Sequence, residues 1–140
     1  MYPSASGPMT TTLVTVRYPL TAAGRRTIDH GLDHLADDED SLIVLHVSLL
    51  QNGETISRED LQEAVEAEFG EIRAHYIVRQ GYMLEEAIID EVARQDADYV
   101  VVGKTKRGRL QRWLGRLLGL YPDLEAELAT QLNTELEVVG

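Results

Sequence analysis

The sequence predicts one doubly wound α/β domain, a parallel sheet with helices on both faces. Three observations carry that prediction. Apolar, strand-like segments and helix-patterned segments alternate nearly five times along the 140 residues. The segments "SLIVLHVS" (41–48) and "DYVVVG" (98–103) are apolar almost throughout, as strands covered on both faces are. No repeat, low-complexity tract or interior linker divides the chain, so a single domain is expected over 11–140. The start, "MYPSASGPMTTT", is small, polar and proline-containing, and residues 1–10 read as a disordered extension.

The elements follow in order. "TTLVTVRY" (11–18) is β-branched and runs into "PL", which predicts a short buried strand. In 21–38, Ile28, Leu32 and Leu35 share one helical face and Thr21 is placed to cap the start. Strand two is 41–48. In 57–70, Leu61, Val65 and Phe69 recur at a spacing of four, Ser57 and Asp60 form a candidate capping box, and Gly70 is a stop. "IRAHYIVR" (72–79) alternates Ile72, Ala74, Tyr76 and Val78 with the period of a strand. Gly81 then breaks into a helix over 82–95, and 98–103 is the fourth strand. Further helices are expected at 108–119 and 123–132, and a last strand at 135–139.

Charge narrows the class. The chain carries 24 acidic residues against 13 basic ones, a net charge of −11, and only Lys104 and Lys106 are lysines. Abundant carboxylate with scarce lysine keeps a surface hydrated and self-repelling, which points to a salt-loving source. With no cysteine there is neither a disulfide framework nor a thiolate metal site. No apolar run approaches the roughly 18 residues of a membrane span, so no membrane association is expected and the cytoplasm is the expected compartment.

Ligands of such sheets bind beyond the carboxyl ends of the strands, where strand order reverses. For five strands ordered 3-2-1-4-5 that point lies between strands one and four. Arg17, Tyr18 and Pro19 leave one, and Gly103, Lys104 and Thr105 leave the other. Gly103 permits a tight turn that brings backbone N–H groups to an anion, with Lys104, Lys106, Arg107 and Arg17 supplying positive charge. The string "VVVGKT" is not a P-loop, because the glycine required five residues before its GK is Asp98.

With its elements in this order, the chain resembles the universal stress protein family over roughly 11–139. The apolar first strand, the long first helix, "VRQGYMLEEAIIDEVARQDADYVVVG" and the closing short helix and strand carry the resemblance. It implies a five-stranded parallel sheet of the adenine-nucleotide alpha-hydrolase-like type, commonly in a homodimer, with ATP or AMP held at the switch point in many members. Such members carry a glycine after strand four, a second three residues on, and a third after nine more, followed by Ser or Thr. Here Gly103 keeps the first position. The second is Lys106 and the third is Arg116, followed by Leu117, while Gly108 and Gly115 stand out of register by two and one. Where nucleotide-binding members place an Asp at the end of strand one, this chain has Arg17.

The implied site is therefore Arg17, Val102, Gly103, Lys104, Thr105, Lys106, Gly115 and Arg116. Three readings stand open: an adenine nucleotide, a smaller anion, or a protein-interaction module whose ligand site has degenerated. The basic residues of 104–116 also suit a solvated helix face paired with carboxylates. Nucleic acid is disfavoured, because the net charge repels a polyanion and high salt weakens phosphate contacts steeply.

His30 and His34, four apart on the first helix, have metal-compatible spacing, but a solvated helix face is the simpler reading. His46, inside strand two, is expected as a hydrogen-bonded core histidine at the crevice end, and His75 has no evident partner. Ser48 shares a face with His46, yet no orienting carboxylate is recognisable, so catalysis is not expected. The partner is expected to be a second copy, through strand 135–139 at the sheet edge and through helix 108–119.

Overall fold

The computed structural model describes residues 10–36, 39–103 and 135–139. The elements are β1 (Thr11–Thr15), α1 (Ala22–Leu32), β2 (Ser41–Leu49), α2 (Arg58–Phe69), β3 (His75–Gly81), α3 (Leu84–Gln95), β4 (Tyr99–Gly103) and β5 (Glu135–Val139). Every strand pair is parallel, and the order is β3-β2-β1-β4-β5. The expected α/β class with a parallel sheet is present. The expected extension at 1–10 and the helices at 108–119 and 123–132 lie outside the described residues, apart from Thr10.

Side-chain alternation along the strands sorts the core into two layers. Leu13, Ile43, Leu45 and Val47 pack on one face with Val100 and Val102, beneath Ala87, Ile88 and Val92 of α3. Val14, Val16, Leu42, Val44 and Val101 pack on the other, beneath Ile28 of α1 and Leu61 and Val65 of α2. Helix α1 comes unusually close. A Cβ on Gly31 would stand 2.6 Å from Val14 Cγ1, so only glycine fits there.

The local signals set the helix starts. The Thr21 side chain accepts from Gly24 N at 3.0 Å. Ser57 and Asp60 form the reciprocal capping box, and Gly70 ends α2 with φ at 73°. Three boundaries differ from expectation. Strand one leaves the ladder after Thr15, although Val16 N still donates to Leu45 O at 3.0 Å. Helix α1 stops at Leu32, and the following turn is held by buried Asp40, which accepts from Ala36 N at 2.8 Å and Thr10 N at 3.0 Å. β3 begins at His75, yet Ile72 and Ala74 pack in the same layer as Tyr76 and Val78. In each case the apolar period reports burial and runs past the hydrogen-bonded element.

Candidate functional site

β1 lies between β2 and β4, so the chain leaves it at the switch point of the sheet. Val14 pairs in parallel with Val101, so β1 and β4 run towards the same end of the sheet. Arg17 and Gly103 therefore leave the sheet at the same end. Val102 is fully buried within the layer under α3. Lys104, Thr105, Lys106, Gly115 and Arg116 lie outside the described residues.

A cavity of about 280 Å³ opens at this end, lined by Arg17, Tyr18, His46, Asn52, Glu54 and Leu84 among others. Arg17 is exposed and has no ion-pair partner among the described residues. His46 is buried, and its ring meets that of Tyr18 edge-on at 6.3 Å between centroids. It is the hydrogen-bonded core histidine expected at the crevice, and both of its nitrogens are engaged. Nδ1 lies 3.0 Å from Val16 O, and Nε2 lies 2.6 Å from Glu54 Oε1.

That geometry fixes a proton count. A carbonyl oxygen only accepts, so Nδ1 carries a hydrogen. The contact between Nε2 and Oε1 then needs a second hydrogen between them. Imidazole and carboxyl group together are thus uncharged, and Glu54 does not cancel the positive charge of Arg17.

Glu54 reaches His46 because the chain turns back after β2. A single 3₁₀ turn over Leu50–Asn52 ends at Gly53, whose φ of 67° lies in the left-handed region. Sequence reasoning missed Glu54 and Asn52. The signal was present as a buried histidine at a strand end, which requires a partner, followed within eight residues by a glycine turn and a carboxylate.

The other histidines sit elsewhere. His30 and His34 stand 5.8 Å apart between ring centroids, and His34 stacks on Tyr99 at 4.2 Å. Among the described residues, no three of His, Cys, Asp or Glu gather as a metal-holding group. His75 lines a second cavity, of about 390 Å³, with Arg58, Gln62, Tyr76 and Gln95 at the opposite end of the sheet. Ser48 Oγ is buried with no hydrogen-bond partner among the described residues, so it does not pair with His46. No described helix is long and apolar enough to cross a membrane.

Residues 13–119 match the sequence model of the universal stress protein family. Among curated proteins none matches the sequence. The fold is similar to a crystal structure of a universal stress protein in complex with cAMP, with a TM-score of 0.56 and 22% identity over 92% of this chain and 96% of that one. It is also similar to a hypothetical protein, PH0823, with a TM-score of 0.51 and 12% identity over 92% of this chain and 94% of that one.

Proposed function

This chain belongs to the universal stress protein family, and from that premise we propose a dimeric stress-response module that binds an adenine nucleotide or related anion at the switch point. One observation carries the reading. Arg17, exposed and without an ion-pair partner among the described residues, lines a cavity at the carboxyl ends of β1 and β2, beside the exit of β4. An open cation in a concave site is suited to an anionic ligand. The complex of a related protein with cAMP supports the choice of an adenine nucleotide.

In this reading Gly103 lets the chain approach the ligand, the backbone of 104–106 donates to its oxygens, and Lys104, Thr105, Lys106, Gly115 and Arg116 complete the site. Val102 backs it from the core. No hydrolysis is assigned. The second copy pairs along β5, which lies at one edge of the sheet, and helix 108–119 adds to that interface. The surface charge suits a salt-rich cytoplasm. A second reading keeps the dimer but not the ligand. It draws on Arg17, Lys106 and Arg116 standing where family members place an Asp and two glycines.

Thermal unfolding with ATP, AMP or sulfate at matched ionic strength separates these readings. A ligand present at 100 times its dissociation constant adds about 2.7 kcal/mol. A shift with a nucleotide supports the first reading, a shift with sulfate alone indicates an anion site without base recognition, and no shift with any of them leaves the interaction module. Melts at low and multimolar KCl, with light scattering on the same samples, test the other two parts. Equal stability in both salts removes the halophilic assignment, and a concentration-independent monomer removes the dimer.

A further inference from the structure

The exit of β1 offers the cavity a cation, Arg17, and no carboxylate to accept from a base. The loop after β2 returns one. Glu54 lines the same cavity from the far side of the Gly53 turn, and its Oε1 is held at 2.6 Å by a buried histidine that is itself fixed to Val16 O. Its other oxygen, Oε2, has no hydrogen-bond partner among the described residues. A carboxyl group anchored through one oxygen and unfilled at the other is an oriented acceptor.

The shared proton matters here. Because the His46–Glu54 pair is uncharged as a whole, the acceptor coexists with an anion at Arg17 without repelling it strongly. The cavity is thus lined both by a cation and by a neutralised acceptor. A ligand that uses both carries an anionic group and a separate hydrogen-bond donor.

We propose that Glu54 takes over base recognition in this chain, accepting a hydrogen bond from the exocyclic amine of a 6-aminopurine nucleotide. The assignment rests on the switch-point reading above and names the residue that sets its specificity. A purine with hydrogen at position 6 has nothing to donate there, and a 6-oxopurine presents an oxygen to an acceptor.

Calorimetric titration of the full chain with AMP and with purine riboside 5′-monophosphate, at matched high ionic strength, tests it. The wild-type protein is expected to prefer AMP about tenfold, the upper end of the net worth of one ordinary hydrogen bond. Glu54→Ala is expected to lower AMP affinity about tenfold, to the level of the analogue, and to leave the analogue and sulfate unchanged. Equal wild-type affinities for the two nucleotides overturn the proposal without any variant. A preference for AMP that survives in Glu54→Ala overturns it too and leaves the nucleotide site standing. Failure of both nucleotides and sulfate to bind the wild-type protein removes the site itself, and the role of Glu54 with it.

Discussion

Two ionic clusters in this molecule each join a buried side chain to a partner, and they are finished differently. At the outer edge of the sheet, Arg79 of β3 reaches α3 and bonds both Asp90 and Glu91. Glu91 is buried and fully used: Oε1 accepts from Arg79 at 3.1 Å and Oε2 from Gln95 at 2.6 Å. Asp90 accepts a further contact from Arg94 at 3.5 Å. The hydrogen bond with Asp90 outweighs burial and holds the Arg79 guanidinium protonated beyond even the usual arginine range. At the switch point, Glu54 uses one oxygen and leaves the other, beside a cavity, without a partner among the described residues. The edge cluster is saturated and holds β3 to α3. The crevice cluster is left incomplete, where incompleteness can bind something.

The hardest test of that contrast is Arg79→Ala. Removing the guanidinium leaves Glu91, whose side chain is 4% exposed, with Gln95 as its remaining described partner. The expected loss is about 3 kcal/mol by urea denaturation, near the low end for a buried pair because Arg79 itself is a quarter exposed. Adding Glu91→Gln to that variant is expected to restore most of the loss. A loss under about 1 kcal/mol, typical of surface pairs, would make the edge cluster incidental.

A third buried polar group has no partner among the described residues, which sharpens the contrast further. The Tyr76 hydroxyl is enclosed between β3 and α2 with no hydrogen-bond partner among the described residues. Burial, and secondarily the charge of Glu66, push its phenol up to about 12 from 10.0. The unfolded chain therefore loses this proton near pH 10 while the folded one keeps it to about pH 12. Stability from this group is complete below pH 10 and falls as pH rises towards 12. The loss totals about 3 kcal/mol at most. Tyr76→Phe is expected to flatten this alkaline limb in pH-dependent denaturation and to cost nothing at neutral pH. An unchanged limb would mean that the hydroxyl reaches solvent or a partner.

Much of the fold was legible because its signals are local. The capping box at Ser57 and Asp60, the cap at Thr21 and the stop at Gly70 each act within one turn, and all three are present. His46 was legible for a related reason: a polar ring in an apolar strand must find partners. Helix α1 was read too long because Leu32 and Leu35 both pack on the core although the helix ends at Leu32. Periodicity registers burial, not backbone hydrogen bonds. Glu54 was illegible because its role depends on how a five-residue turn folds back, and no period encodes that. The acidic composition hid it as well, since one carboxylate among 24 acidic residues carries no distinction until geometry supplies it.

The smallest expected effect is the most informative about the crevice. Glu54→Ala, with no ligand present, removes the partner of a buried histidine just as Arg79→Ala removes the partner of a buried glutamate. The remaining groups respond differently. Glu91 stays enclosed and loses its cation, whereas the His46 ring keeps its Nδ1 contact with Val16 O. Its Nε2 would then face the cavity. The expected loss is under about 1 kcal/mol, the net worth of a modest hydrogen bond, read by the same urea denaturation. A loss as large as that of Arg79→Ala would mean that Glu54 holds the β2–α2 turn in place. Its second oxygen would then be an accident of packing, and the distinction between a finished cluster and an open one would fail at the residue on which it depends.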